Sequence, residues 1–318
     1  MGGRSVVAAA LVAAALVAAA LVAAALVLGA TPAAGMPAGS PGSGGDGTKR
    51  VALGDSWAAG TAAGGIEAAS GTCRRSALAY PPLLARASGE TAWTSRACAS
   101  AAGGGNGQFT SLAAATEVVT ATVGADATGL GALGAACSTA GTPARCDEAA
   151  ARFDRALRTL PGALDTALTD IRRRAPRAAV TFTGYPLLAE GRACPKGAAD
   201  AARAKRLDDA VNRLDTVLAA RVAAAGMRFV DVRPAFAGRG VCGQAPWLTA
   251  LTEGEALLAG GPTAEGHALG VLPAIAAAGP APVPTPTATP TTPTAPAASP
   301  APPASPADGR SAPGLFPG

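Results

Sequence analysis

Five short β-prone segments recur along this chain, each parted from the next by a longer stretch, and that alternation leaves few folds open. The segments are VALG at 51–54, TAWTSRA at 91–97, VVTATVG at 118–124, AAVTFTGY at 178–185 and MRFVDV at 227–232. Between the later ones apolar residues fall at threes and fours, the stripe of a helix with one buried face. Phe153, Leu157 and Leu160 lead to a break at Pro161-Gly162, after which Leu164, Leu168 and Ile171 resume the spacing. Leu207, Val211, Leu214, Leu218 and Val222 repeat it, and Gly226 follows as a C-cap. Strand, helix, strand in that order makes the strands parallel and covers both faces of their sheet. The expected architecture is an α/β protein: a three-layer α/β/α sandwich around a central, mostly parallel five-stranded sheet.

Not all of the 318 residues belong to that sandwich. From Val6 to Leu28 the chain is almost entirely Ala, Val and Leu behind Arg4, then reaches Ala30, Pro32, Ala33 and Ala34. This is the layout of an export signal with small residues at its cleavage point, expected over residues 1–35. The apolar run, about 5–30, is also long enough to stay as a membrane anchor, and either form exports the remainder. A Gly/Ser-rich linker is expected at 36–49, the folded domain at 50–278, and an extended Pro/Thr/Ala-rich tail at 279–318 that holds too few apolar residues for a core.

The net charge of +5 comes from scattered arginines, with no basic patch for nucleic acid. The six cysteines, at 73, 98, 137, 146, 194 and 242, all fall inside the domain, and an even number in an exported chain implies disulfides. Neighbour pairing is the simplest of the connectivities they allow. With one histidine and no CxxC pair, the chain offers no zinc site, and no metal or organic cofactor is expected.

In a parallel sheet the ligand-binding loops leave the carboxyl ends of the strands. Three such loops are rich in Gly, Ser, Asn and Asp: 54–60, 98–107 and 124–131. The first, GDSWAAG, sets Ser56 at a tight strand-to-helix turn that exposes a hydroxyl at the sheet edge. A lone GDS also occurs as a simple capped turn. Here it is followed, in order, by CRRSALAYPPLLA (73–85), VTATVGAD, VTFTGYP, RLDDAVNRLD, FVDVRPAFAGRGVC (229–242), Pro246-Trp247 and PTAEGH (262–267).

Together these segments resemble the SGNH/GDSL hydrolases, in particular the secreted three-disulfide esterases and lipases of actinobacteria, across about residues 50–278. The resemblance implies a flavodoxin-like sheet, the neighbour disulfide pairing Cys73–Cys98, Cys137–Cys146 and Cys194–Cys242, and hydrolysis of carboxylic esters by a serine nucleophile. A serine hydroxyl attacks poorly until a base takes its proton, and the oxyanion that forms needs donors aimed at it. The family meets these needs with the serine and its N–H, a glycine N–H from the second loop, an asparagine amide from the third, and a late Asp-x-x-His.

Carried over residue by residue, the match is partial. Ser56 fits the nucleophile, and Ser100 takes the second-loop glycine's place in the oxyanion hole. Asp126 replaces the asparagine; as an ionised carboxylate it would accept rather than donate, and would oppose an oxyanion. In LAGGPTAEGH, Leu258 stands where the aspartate belongs and Gly261 where the histidine belongs. His267, the one histidine, lies six residues further on, roughly 9 Å along a helix axis, and is the sole imidazole to consider as a substitute base.

Other residues carry plainer expectations. Trp57 and Trp247 flank the presumed cleft and are expected as buried aromatics rather than pocket walls; Asp55 and Asp231 as turn caps; Arg239 as a loop residue bonding carbonyls; Asn106 as a turn marker. The expected function is that of an exported esterase/lipase-family domain with crippled or absent hydrolysis, retaining a cleft for an acyl ester or acylated-sugar ligand. The alternatives are an active esterase whose base is His267 or Asp126, and a non-catalytic cell-surface module held at the membrane or envelope through its N-terminus. A monomer is expected.

Overall fold

The computed structural model describes residues 49–89, 93–99, 107–138, 140–194, 199–251 and 258–284. The expected export segment and nearly all of the linker lie outside these residues, as do Ser100, Asn106 and the tail from 285 on. The strands are β1 (Arg50–Gly54), β2 (Trp93–Ser95), β3 (Val118–Thr122), β4 (Ala179–Thr183) and β5 (Arg228–Val230). They form one sheet in the order β2-β1-β3-β4-β5. Every pairing is parallel, so the expected mostly parallel sheet is wholly so. Val51, Leu53, Val119, Ala121, Val180 and Phe182 are all buried, as strands covered on both faces require.

The helices are α1 (Ser56–Ala59), α2 (Tyr80–Ala87), α3 (Ala125–Thr128), α4 (Leu130–Ala136), α5 (Pro143–Arg174), α6 (Ala201–Ala224) and α7 (Leu272–Ala277), the last entered through a π turn at Gly266–Val271. Local chemistry sets their ends. Thr142 caps α5 by accepting from the Arg145 N–H at 3.3 Å, with Pro143 in the first turn. Asp200 caps α6 by accepting from the Arg203 N–H at 2.9 Å. Gly226, in the left-handed region at φ 65°, turns the chain out of α6 as expected.

One expectation fails in α5, which runs unbroken through Pro161 for 32 residues. Phe153, Leu160, Leu164, Leu168 and Ile171 are all buried on one stripe that keeps its phase across the proline. Each fully buried aliphatic or aromatic side chain contributes about 1.5–3 kcal/mol, and several together outweigh the ~3 kcal/mol an internal proline costs.

All three disulfides join sequence neighbours: Cys73 to Cys98, Cys137 to Cys146 and Cys194 to Cys242. Among the described residues no helix is long and apolar enough to cross a membrane.

Candidate active site

β1 and β3 lie side by side at the centre of the sheet, and from them the chain leaves in opposite directions, to β2 and to β4. The turns after these strands therefore share the crevice where a doubly wound sheet takes its ligand. Gly54, at φ 140°, permits the first turn, because a β-carbon there would lie 2.3 Å from the Thr122 carbonyl oxygen. The Gln108 carboxamide grips Gly54 on both sides, accepting from its N–H at 2.8 Å and donating to its carbonyl at 2.9 Å. Asp55 then caps α1 by accepting from the Trp57 N–H at 3.1 Å, and Ser56 opens the helix, 3 % exposed.

Asp126 arrives from α3, just after β3, and chelates the serine. Ser56 Oγ is 2.5 Å from Asp126 Oδ1, and the Ser56 N–H donates to Oδ2 at 2.9 Å. Asp55 lies beneath. Its Oδ2 accepts from the Ala125 N–H at 3.0 Å and from the Tyr185 hydroxyl at 2.7 Å, while that hydroxyl accepts from the same Ala125 N–H at 2.9 Å. Tyr185 extends from the end of β4, packed edge-on against buried Trp57 at 5.0 Å between ring centroids.

Two carboxyls so close and so deep cannot both ionise near neutrality. Burial raises Asp55 to about 6 against the pull of its four donors, Tyr185 first among them. Burial, and then the charge of Asp55, raises Asp126 to about 8 despite its bonds to Ser56. The two titrations belong to the pair, and burial displaces both upward from the ordinary carboxylate range. Burial and the neighbouring Asp55 thus push Asp126 towards its protonated form, against the two hydrogen bonds it accepts from Ser56.

His267 is not brought to the serine. Its Nδ1 accepts from the Tyr80 N–H at 3.2 Å, and its buried Nε2 meets no hydrogen-bond partner. Burial pushes this imidazole down to about 3, so it stays neutral. The candidacy of His267 as a substitute base therefore fails on geometry. Gly261 is buried, donating to the Leu258 carbonyl at 3.0 Å and accepting from the Thr249 N–H at 2.9 Å. A β-carbon at 261 would stand 2.9 Å from Ala62 Cβ, on the segment that follows α1. Gly261 thus borders Ala62, on the segment that follows the nucleophile's turn.

The plainer expectations hold in part. Arg239 donates to the Ala245 carbonyl at 3.2 Å and lies over the half-buried Trp247 ring. Asp231 accepts from the Arg233 N–H at 2.9 Å. Asp55 caps its turn but does more, and that role, with those of Tyr185, Gln108 and Ala62, went unread. The signal for Asp55 and Tyr185 was their position at strand ends, in GDS and TGY. Nothing in the sequence marked Gln108 or Ala62. Among the described residues no group of His, Cys, Asp and Glu could hold a metal ion.

A wholly parallel five-stranded sheet in this order, with helices around it and a serine at the turn after its first strand, is an α/β fold of the kind found in SGNH-type lipases. More narrowly, the chain belongs to the GDSL-like lipase/acylhydrolase family, whose model matches residues 52–269. It is 34 % identical over 231 residues to a lipase of Streptomyces rimosus, covering 72 % of this chain and 85 % of the relative. The crystal structure of an extracellular lipase from Streptomyces rimosus superposes with a TM-score of 0.67 at 32 % identity, over 72 % of this chain and 98 % of that one. That of phospholipase A1 from Streptomyces albidoflavus gives 0.66 at 31 %, over the same shares.

Proposed function

We propose that this is an exported member of the family in which ester hydrolysis is crippled, a pseudoenzyme that keeps the serine and binds an acyl ester or acylated-sugar ligand without turning it over. One observation carries the reading: both hydrogen-bond donors of Ser56 are bonded to Asp126, while Gly261 and Leu258 stand in the places of the base and its partner. Asp126 cannot repair both losses. When neutral it can donate to an oxyanion but cannot take the serine's proton; when ionised it can take the proton but opposes the oxyanion. Loss of the base alone costs on the order of a million-fold in kcat in a serine hydrolase. Export is supported by the apolar N-terminus and by the extracellular relative.

A fluorophosphonate probe and a p-nitrophenyl ester test this. We expect no labelling at Ser56 at neutral pH and turnover at least ~10⁴-fold below that of an active relative. Turnover within tenfold of the relative, abolished by Ser56→Ala, would overturn the reading.

The 2.5 Å contact between Ser56 Oγ and Asp126 Oδ1 favours one second reading, a Ser56–Asp126 dyad active in alkali. That reading requires labelling that rises with pH through about 8 and is lost in Asp126→Asn.

A further inference from the structure

Arginines that are scattered along the sequence are gathered by the fold onto one end of the domain. All the strands are parallel, so their amino ends share one edge, with Arg50 level with Val118 and Val118 level with Ala179. Each long helix must come back to that edge before the next strand begins. α5 ends there on Arg172, Arg173 and Arg174, just before β4, and α6 ends there with Arg221 in its last turn, just before β5. Between the two helix ends lies an open groove of about 540 Å³, lined by Arg172, Arg173 and Arg221 among others.

The acidic groups at this edge do not neutralise it. Glu117 pairs with Lys49 at 3.1 Å, and Asp170 is shared between Arg173 and Arg174, at 2.5 and 3.5 Å. Asp165 takes Arg221, whose Nε donates to it at 2.7 Å. Arg172 and Arg228 donate instead to neutral carbonyls, of Ala178 at 3.1 Å and Pro280 at 2.8 Å, and these leave their charge in place. Arg177 is exposed, and among the described residues no carboxylate pairs with it. Cations in the last turn of a helix offset its dipole, which accounts for Arg172, Arg173, Arg174 and Arg221. It does not account for Arg177, beyond the end of α5, or for Arg228, in a strand.

The geometry points to a docking surface for an anionic phospholipid bilayer: this edge seats lipid phosphates on Arg172 and Arg173 in the groove and on Arg177 just past α5. The choice of a bilayer comes from where the chain enters. Lys49 and Arg50 lead into β1 at this same edge, and through residues 29–48 they follow the apolar run from Val6 to Leu28. The bilayer that receives that run, whether the run stays or is cut away, is the surface this edge meets first. Ser56 lies at the carboxyl ends of the strands, so docking on the amino ends presents it away from the lipid. Of the proposed function this inference uses export alone, and it is independent of what happens to an ester at Ser56.

The test is partition of the full chain, at sub-saturating lipid, onto vesicles of phosphatidylcholine alone and of phosphatidylcholine with about a third phosphatidylglycerol, at about 10 mM and about 0.5 M salt. Partition coefficients multiply, so the apolar N-terminal run weighs alike on both vesicles and cancels in their ratio. An arginine near an anionic surface contributes about 1 kcal/mol, a factor of roughly five. The ratio for the native chain, anionic over neutral, is expected to reach at least ~10² at low salt and to come within about threefold of unity at high salt. Arg173→Gln with Arg177→Gln should lower the low-salt ratio at least about tenfold. Arg155→Gln with Arg158→Gln removes the same charge from the middle of α5 and should lower it less than about threefold. All of these arginines are exposed, so both double variants should fold. A native ratio near unity at low salt, or equal losses in the two double variants, would overturn the inference. Soluble polyphosphate that strips the chain from anionic vesicles at equal phosphate would make a polymer the partner and overturn it too. Ester turnover is measured on the same samples: turnover near that of an active relative sinks the proposed function and leaves this inference standing, whereas a ratio near unity sinks this inference alone.

Discussion

At the scale of single residues, two positions carry the proposed loss of hydrolysis. Asp126, at the place where the resemblance implies an asparagine, brings a second carboxyl beside Asp55 and accepts from both the Ser56 N–H and its hydroxyl. The other is the absent side chain at 261, where an added β-carbon would crowd Ala62. Restoring Gly261→His, Leu258→Asp and Asp126→Asn is therefore expected to fail, because the new β-carbon meets Ala62 Cβ at 2.9 Å. Adding Ala62→Gly should release it and raise p-nitrophenyl butyrate turnover by at least ~10³-fold over the triple variant, part of what a base contributes. Equal rates for the two would show that Ala62 is no obstacle. Tyr185→Phe, which leaves buried Asp55 short of its hydroxyl donor, should cost about 1–3 kcal/mol in urea unfolding.

At the scale of elements, α5 shows how far local rules carry. Its apolar stripe predicts the helix, and the proline within it predicts a break that does not occur. Packing on the sheet prevails because Leu160 and Leu164, on either side of Pro161, are both buried in the core. The proline is then a tolerated cost, and Pro161→Ala should stabilise the domain by roughly 1–3 kcal/mol, read as a raised urea midpoint with an unchanged slope. A lower midpoint would mean that the proline's own bend is needed. The strands were easier to place, since a parallel sheet buries both faces and leaves near-continuous apolar runs in the sequence.

For the whole molecule, the buried acids make stability depend on pH in an uncommon direction. Asp55, Asp126 and Asp215 are raised to about 6, 8 and 7, burial being the first cause in each. The native chain thus keeps protons that the unfolded chain gives up near 3.8. Their stabilisation is complete below that value and is lost as pH rises through the native ones. His267 works in the opposite sense, lowered from 6.5 to about 3, so its share is lost as pH falls below 6.5. Above 6.5 only the carboxyls slope. The melting temperature should fall from about pH 6.5 to about pH 9, by about 2–4 °C for each kcal/mol lost. Asp126→Asn should flatten that fall in calorimetry; an unchanged slope would place the proton elsewhere.

By itself the sequence determined the parallel sheet, the two long helices that cover it and the serine at the first turn. These follow from local periodicity and turn chemistry, which neighbouring residues decide among themselves. The resemblance carried by its motifs supplied the disulfide pairing. Only the tertiary structure decided the rest: that Asp126 folds onto Ser56 across 70 residues, that Asp55 accepts from Tyr185 and Ala125, that His267 accepts from the Tyr80 N–H, and that Ala62 borders Gly261. Distance through space, burial and the charge of a neighbour govern those outcomes, and none of the three is written in the order of residues along the chain.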